Sequence, residues 1–334
     1  MAPEPATSQD RFDRPVQAVE TCDLCGCEDH RVIADDGPSR CRIVMCENCG
    51  LLFASPSFAV SALDGFYEDG FIGDPGTNLR VAGGGIDPRK LKEEQRIAQS
   101  YSLPVVRRHL DPAGKSILDV RCRSGALADM LARAGAEVTA IDPMEQNARH
   151  ALSRDSLAEA RFVSVLELAE LQGFEDGSFD AITALTVHTL GHLPSPRRFL
   201  ARAFDLLKPG GYLFMDEKDV RHPVRATGPS VFDSGAPHYF HFTRDTLRKY
   251  FQAAGFDVLE CDLDPGRKKA LRHVPVVARK PLGLVARKLR QPDLAEDTEK
   301  LLSDLAKAER TLRHRKVFNR FMRHTKSHVR KLLN

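Results

Sequence analysis

Between Ser116 and Arg279 short apolar runs alternate with amphipathic segments, and this alternation constrains the fold more than any other feature of the chain. "SILDV" (116–120) leads into the helical "GALADMLARAG", which Gly135 ends. "AEVTAID" is the next strand, and "RFVSV", "FDAITAL", "GYLFMD", "FDVLEC" and "VPVVAR" are five more. Helical stretches such as "PSPRRFLARAFDLL" and "TRDTLRKYFQAAG" separate most of them. Strands interleaved with helices predict an α/β fold with a doubly wound, mostly parallel, seven-stranded sheet. Ligands of such sheets sit beyond the carboxyl ends of the strands. That places "RCRSG" (121–125), Asp142 and the loop after "AITAL" around one site.

Six of the eight cysteines lie between Cys22 and Cys49. Cys22-x-x-Cys25 and Cys46-x-x-Cys49 are two knuckles, and two such pairs signal zinc. Each knuckle presents two thiolates on a tight turn, and four thiolates close a tetrahedral site with no position left for water. The metal is therefore expected to be structural. Cys27 and Cys41 are spares, either alternative ligands or small buried residues.

The 334 residues are 42% hydrophobic and 28% charged, as in an ordinary globular protein, and the net charge of +3 is too small to mark a nucleic-acid binder. The N-terminus lacks an apolar secretory stretch and no run of about 18 apolar residues occurs, so the expected compartment is the cytoplasm. Residues 1–20 read as a disordered tail, 21–55 as a zinc ribbon, and 56–115 as a connector with "GGG" at Gly83–Gly85 and a helix over Asp87–His109. From Lys307 onward every charge but Glu309 is positive. Val317, Phe318, Phe321, Met322, Val329, Leu332 and Leu333 recur there at helical spacing, so 281–334 reads as a basic helical extension. It either packs on the domain or meets an anionic surface, such as the inner face of a membrane.

"ILDVRCRSGALADMLARAGAEVTAIDP" and "GSFDAITALTVHTLGHLPSPRRFLARAFDLLKPGGYLF" resemble the class I S-adenosylmethionine-dependent methyltransferases over roughly 110–280, taken as a domain over 116–280. "CENCGLLFASP" followed by "FYEDGF" resembles the zinc-ribbon front of a subgroup associated with sugar or polysaccharide modification. The resemblance implies methyl transfer from S-adenosylmethionine to a sugar nucleotide or polysaccharide intermediate. It assigns cofactor binding to Asp119, Gly125 and Asp142, the last accepting from ribose hydroxyls. From position alone Asp142 reads equally well as a turn or cap residue before Pro143. His188 and His192 follow as candidate proton acceptors, with capping or packing as the other reading of His192. His222, His238 and His241 are further candidates; Tyr239 and Phe240 are a substrate wall or core.

Two departures stand out. The family's first motif is an acid followed by glycines at alternate positions; Arg121 and Arg123 stand in place of its two central glycines, and Gly191 stands where relatives usually carry an acid before the histidine. A guanidinium about 4 Å from the cofactor's sulfonium repels it by roughly 4 kcal/mol at an effective dielectric near 20. Either the arginines turn to solvent, or one pairs with the cofactor carboxylate, or the ligand is more anionic. These departures keep a catalytically silent binding or scaffold protein as the alternative. An RNA methyltransferase ranks third, since residues 21–55 are nearly balanced in charge.

Overall fold

The structure is a computed structural model that describes residues 14–35, 41–68, 87–157, 159–185, 188–221, 238–262, 273–283, 302–304, 306–307 and 310. Residues 1–13, Gly83–Gly85, His222 and the apolar positions from Val317 onward lie outside the described residues.

The large sheet has seven strands in the order β12-β13-β10-β9-β6-β7-β8: β12 (Asp257–Cys261), β13 (His273–Arg279), β10 (Leu207–Lys218), β9 (Phe179–Ala184), β6 (Ser116–Val120), β7 (Glu137–Asp142) and β8 (Glu159–Phe162). β10, β9, β6, β7 and β8 run parallel, and β13 is antiparallel to both its neighbours. β6 is buried along nearly its whole length, which is why "SILDV" reads as a continuous apolar run rather than an alternating one. Helices α4 (Ala126–Arg133) and α7 (Pro196–Leu206) lay apolar stripes on the sheet. Ser195 caps α7 by accepting from the Arg198 amide, and Pro196 opens the helix, where a missing N–H is harmless. Phe199, Leu200, Ala203 and Leu206 are the face it buries, each large side chain contributing about 2 kcal/mol.

"RFVSV" is only half strand. β8 ends at Phe162, and Val165 opens α6 (Val165–Glu170). Ser164 and Glu167 form a reciprocal capping box, which satisfies two amides and outweighs the short apolar alternation. The helix expected over Asp87–His109 is α2 (Pro88–Ile97), one π-helical turn over Ala98–Ser102, then α3 (Leu103–Arg107). The Asp87 side chain caps it by accepting from the Arg89 amide.

The cysteine-rich segment builds its own antiparallel sheet, β2 (His30–Asp35), β3 (Arg42–Cys46) and β4 (Leu52–Ala54). The fourth strand comes from far down the chain: β11 (Phe240–His241) pairs with β4, Phe240 opposite Phe53 and His241 opposite Leu52. A second link joins the two parts. Asp23, inside the first knuckle, accepts from Ser195 Oγ at 2.6 Å, the Arg197 amide at 3.0 Å and the Tyr250 hydroxyl at 3.1 Å. The knuckle therefore sits on the N-terminus of α7, where a carboxylate complements the helix dipole.

Candidate active site and metal centre

The Sγ atoms of Cys22, Cys25, Cys46 and Cys49 lie within 4.8 Å of one another, with Cys22–Cys49 at 3.4 Å and Cys25–Cys46 at 3.5 Å. Four sulfurs about 2.3 Å from a zinc ion stand roughly 3.8 Å apart, so the set is compatible with a structural zinc. Cys27 points elsewhere, towards the Asp29 carbonyl at 3.7 Å, and neither it nor buried Cys41 joins the cluster.

The turn after β6 keeps a glycine-type backbone without the glycines. Arg121, Arg123 and Gly125 all hold positive φ, at 55°, 53° and 69°. Such angles cost an L-residue on the order of 1 kcal/mol, so the surrounding structure imposes this shape. The Cys122 amide donates to the Ile141 carbonyl and the Gly125 amide to the Cys122 carbonyl, which pins the turn against β7. Gly125 has a steric reason as well. A Cβ there would stand 2.7 Å from the Ala151 Cβ and 3.0 Å from its Cα.

Asp142, at the end of β7, does the work of a turn residue. Its Oδ1 accepts from the Met144 amide at 2.9 Å and Asn147 Nδ2 at 3.0 Å, and Oδ2 accepts from the Arg123 amide at 2.9 Å. A carboxylate offers about four lone pairs, so one on Oδ2 is left for a hydroxyl donor. Burial raises the Asp142 carboxyl above the usual range, against the pull of those amides and of Arg121. Asp119 is 3% exposed. Its Oδ1 accepts from Thr183 Oγ1 at 2.6 Å, and its buried Oδ2 has no hydrogen-bond partner among the described residues. Burial, with a contribution from Asp142, pushes its pKa to about 7.

The arginines are not bare cations. The Arg123 guanidinium pairs with Glu94 on α2, whose other oxygen accepts from the Ser124 amide at 3.3 Å. Arg121 lies among carboxylates, its charge favouring the ionised forms of Asp142 and Glu217. Charge is therefore balanced locally; space is the tighter constraint. The cavity at the strand ends, lined by Glu94, Asp119, Arg121, Arg123 and Leu185 among others, measures about 30 Å³. That is room for about two waters. The chemistry of the donor set fits S-adenosylmethionine: an orphaned carboxylate oxygen for an ammonium, a spare carboxylate lone pair for a ribose hydroxyl, a guanidinium for a carboxylate. The fit requires the Arg123 side chain to give way.

His188 follows β9 with φ of 46°, and His192 closes a short 3-10 turn over Leu190–His192. His192 is buried, its ring centroid 4.2 Å from that of His238, and His238 stacks on His241 at 5.5 Å. Burial, then His238 and Lys218, holds His241 well below the ordinary imidazole range. Tyr239 and Phe240 are core: both are buried, and the Tyr239 hydroxyl donates to the Phe58 carbonyl. Sequence reasoning missed Glu217. It is 2% exposed at the end of β10, and its Oε1 accepts from the Leu190 amide at 2.6 Å. The signal was present as two acids, Asp216 and Glu217, closing an otherwise apolar strand.

A family model described as "Methyltransferase domain" matches residues 94–261, half of the chain. Among curated proteins, the ubiquinone biosynthesis O-methyltransferase of Xanthomonas axonopodis pv. citri is 40% identical over 183 residues, 50% of this chain and 74% of that one. Its namesake from Nitrosococcus oceani is 42% identical over 116 residues, 34% of this chain and 47% of that one, so the chain spans about half that relative's length. Among solved structures, the 1,6-didemethyltoxoflavin-N1-methyltransferase of Burkholderia thailandensis aligns at a TM-score of 0.49 with 18% identity, over 76% of this chain and 99% of that one.

Proposed function

Since the chain belongs to the S-adenosylmethionine-dependent methyltransferases, we propose that it methylates a hydroxyl group of a small molecule bound at the carboxyl ends of β6, β9 and β10. The observation that carries this reading is the turn Arg121–Gly125, whose glycine-type backbone persists although two of its residues are arginine. The cofactor, when bound, supplies an electrophilic methyl on a sulfonium. Asp119 Oδ2 is the acceptor for its ammonium, Asp142 Oδ2 for a ribose hydroxyl, and Gly125 lets the backbone approach. Arg123 exchanges Glu94 for the cofactor carboxylate, a bidentate partner of the kind a guanidinium favours. His188 and His192 form the polar wall that holds the acceptor hydroxyl. Cys22, Cys25, Cys46 and Cys49 hold a structural zinc whose unit carries β11, and with it His241, into place.

The relatives' names, O-methyltransferases of ubiquinone biosynthesis, favour a ring hydroxyl of a ubiquinone precursor as the acceptor. The cysteine unit favours a second acceptor, the hydroxyl of a sugar nucleotide or polysaccharide intermediate, because that front end resembles the sugar-modifying subgroup. Among the described residues no helix is long and apolar enough to cross a membrane. Attachment to an anionic inner-membrane face through the basic extension is part of this proposal, resting on charge pattern alone.

Calorimetric titration of S-adenosylmethionine and S-adenosylhomocysteine tests the reading, with an Arg121→Gly/Arg123→Gly variant beside the native protein. Micromolar binding by the native protein is expected. Binding by the variant alone would mean that the arginines have closed the site, and the chain would act without catalysis.

A further inference from the structure

Gly191 stands where the family resemblance places an acid, and the packing leaves little room for a side chain there. A Cβ on Gly191 would stand 3.1 Å from the Phe240 carbonyl oxygen, because β11 runs directly against this loop; the Tyr239 amide donates to the Gly191 carbonyl at 2.8 Å. The same point in space lies 3.9 Å from Glu217 Oε2 and 3.6 Å from His238 Cδ2. A carboxylate from the neighbouring strand thus reaches the place the missing side chain would have started from. It is anchored there through Oε1 by the Leu190 amide, within the histidine loop itself. We propose that Glu217 is the catalytic base of this site, replacing in space the acid that the loop lacks at Gly191. The proposal rests on the hydroxyl-acceptor reading above.

His238 lies between His192 and His241, with ring centroids 4.2 and 5.5 Å away, and burial, His238 and Lys218 together disfavour a proton on His241. A buried carboxylate behaves in the opposite way, since a proton removes its charge. The groups that act on Glu217 are the Leu190 amide, Asp216, Arg121 and Lys218, and its Oε2 and the His238 Cδ2 both border the space beside Gly191. Burial dominates and raises its carboxyl to about 8, Asp216 adding to the rise and the Leu190 amide, Arg121 and Lys218 opposing it. A base so tuned is half ionised near pH 8, within about a unit of neutral, where proton transfer is effective. In the step, the acceptor O–H bond breaks and its proton passes to the Glu217 carboxylate. The oxygen pair forms the new O–CH₃ bond, and the pair of the broken S–CH₃ bond stays on sulfur.

Two catechols separate a base from a structural residue. With catechol as probe, Glu217→Gln should lower kcat/KM about a hundredfold or more. With 4-nitrocatechol, already largely ionised at neutral pH, the same variant should stay within a few fold of wild type. Glu217→Asp should recover part of the catechol activity. Equal losses on both probes would overturn the proposal, as would full catechol activity in Glu217→Gln. If the wild type methylates neither catechol, the aromatic-hydroxyl acceptor fails instead. Difference infrared spectroscopy then decides Glu217 alone: a protonated-carboxyl band that titrates near pH 8 and vanishes in Glu217→Gln supports it, and no such band overturns it.

Discussion

Asp119→Asn should make the ligand-free protein more stable at mildly alkaline pH while removing its hold on the cofactor. The carboxyl is buried, with one oxygen bonded to Thr183 and the other without a partner among the described residues. Its pKa is raised from 3.8 to about 7, burial being the main cause. The unfolded chain therefore releases this proton near pH 4, while the folded chain keeps it until about pH 7. Stability from this group is complete below pH 4 and drains away as pH rises to about 8. The gap between the two ionisations corresponds to about 4 kcal/mol by the time both states are charged. Asparagine keeps an acceptor for Thr183 and carries no charge at any pH, so the variant escapes this loss. Its new NH₂ group lacks an acceptor, which returns about 1–2 kcal/mol. Urea unfolding at a few pH values between about 4.5 and 8 should show the variant gaining on wild type as pH rises, by about 2–3 kcal/mol at the alkaline end. The m-value should not change. Titration calorimetry should show the variant's affinity for S-adenosylmethionine falling, as expected if Asp119 binds its ammonium. A stability difference that does not vary with pH would refute the reasoning, since it would mean Asp119 is not ionising against its burial.

Three other variants follow from the geometry. Gly125→Ala puts a Cβ 2.7 Å from that of Ala151 and forces an L-residue to φ of 69°; a loss of about 2–4 kcal/mol in denaturant unfolding is expected. Cys46→Ser should release zinc, measured as metal content falling from one ion per chain, and lower the melting temperature, whereas Cys27→Ser should do neither.

The alternation of strands and helices made the large sheet legible, because each crossover helix has its own caps and periodicity. Ser195 with Pro196 and Thr243 opening the helix Arg244–Ala253 are local signals that the structure repeats. "RFVSV" misled because three apolar residues in a stretch of five carry less information than the Ser164–Glu167 box that begins within it. The cysteine spacing foretold the four-sulfur cluster, because two short turns fix their ligands before any tertiary contact forms. The arginine problem was visible in sequence but not its resolution. Glu94 lies on a helix well upstream, and nothing in its surroundings announces that it meets Arg123. Asp142 was ambiguous between turn and ligand, and the amides of Met144 and Arg123 now account for the turn. The histidine stack was hidden because His238 and His241 arrive with β11, which crosses to the cysteine unit's sheet, a pairing with no local signature.

That pairing also fixes an order of assembly. Chains emerge from the ribosome N-terminus first, and the knuckles and strands β2–β4 are all neighbours in sequence. They can close around a metal early, as a short-range unit of low contact order. β11 cannot join them until the large sheet has been made as far as β10, because Phe53 must wait for Phe240. The histidine stack is therefore completed late, by a closure across most of the chain. A nascent or truncated chain ending before Phe240 would bind zinc and yet leave β4 as an open sheet edge, exposed to pairing with other chains until its own strand arrives.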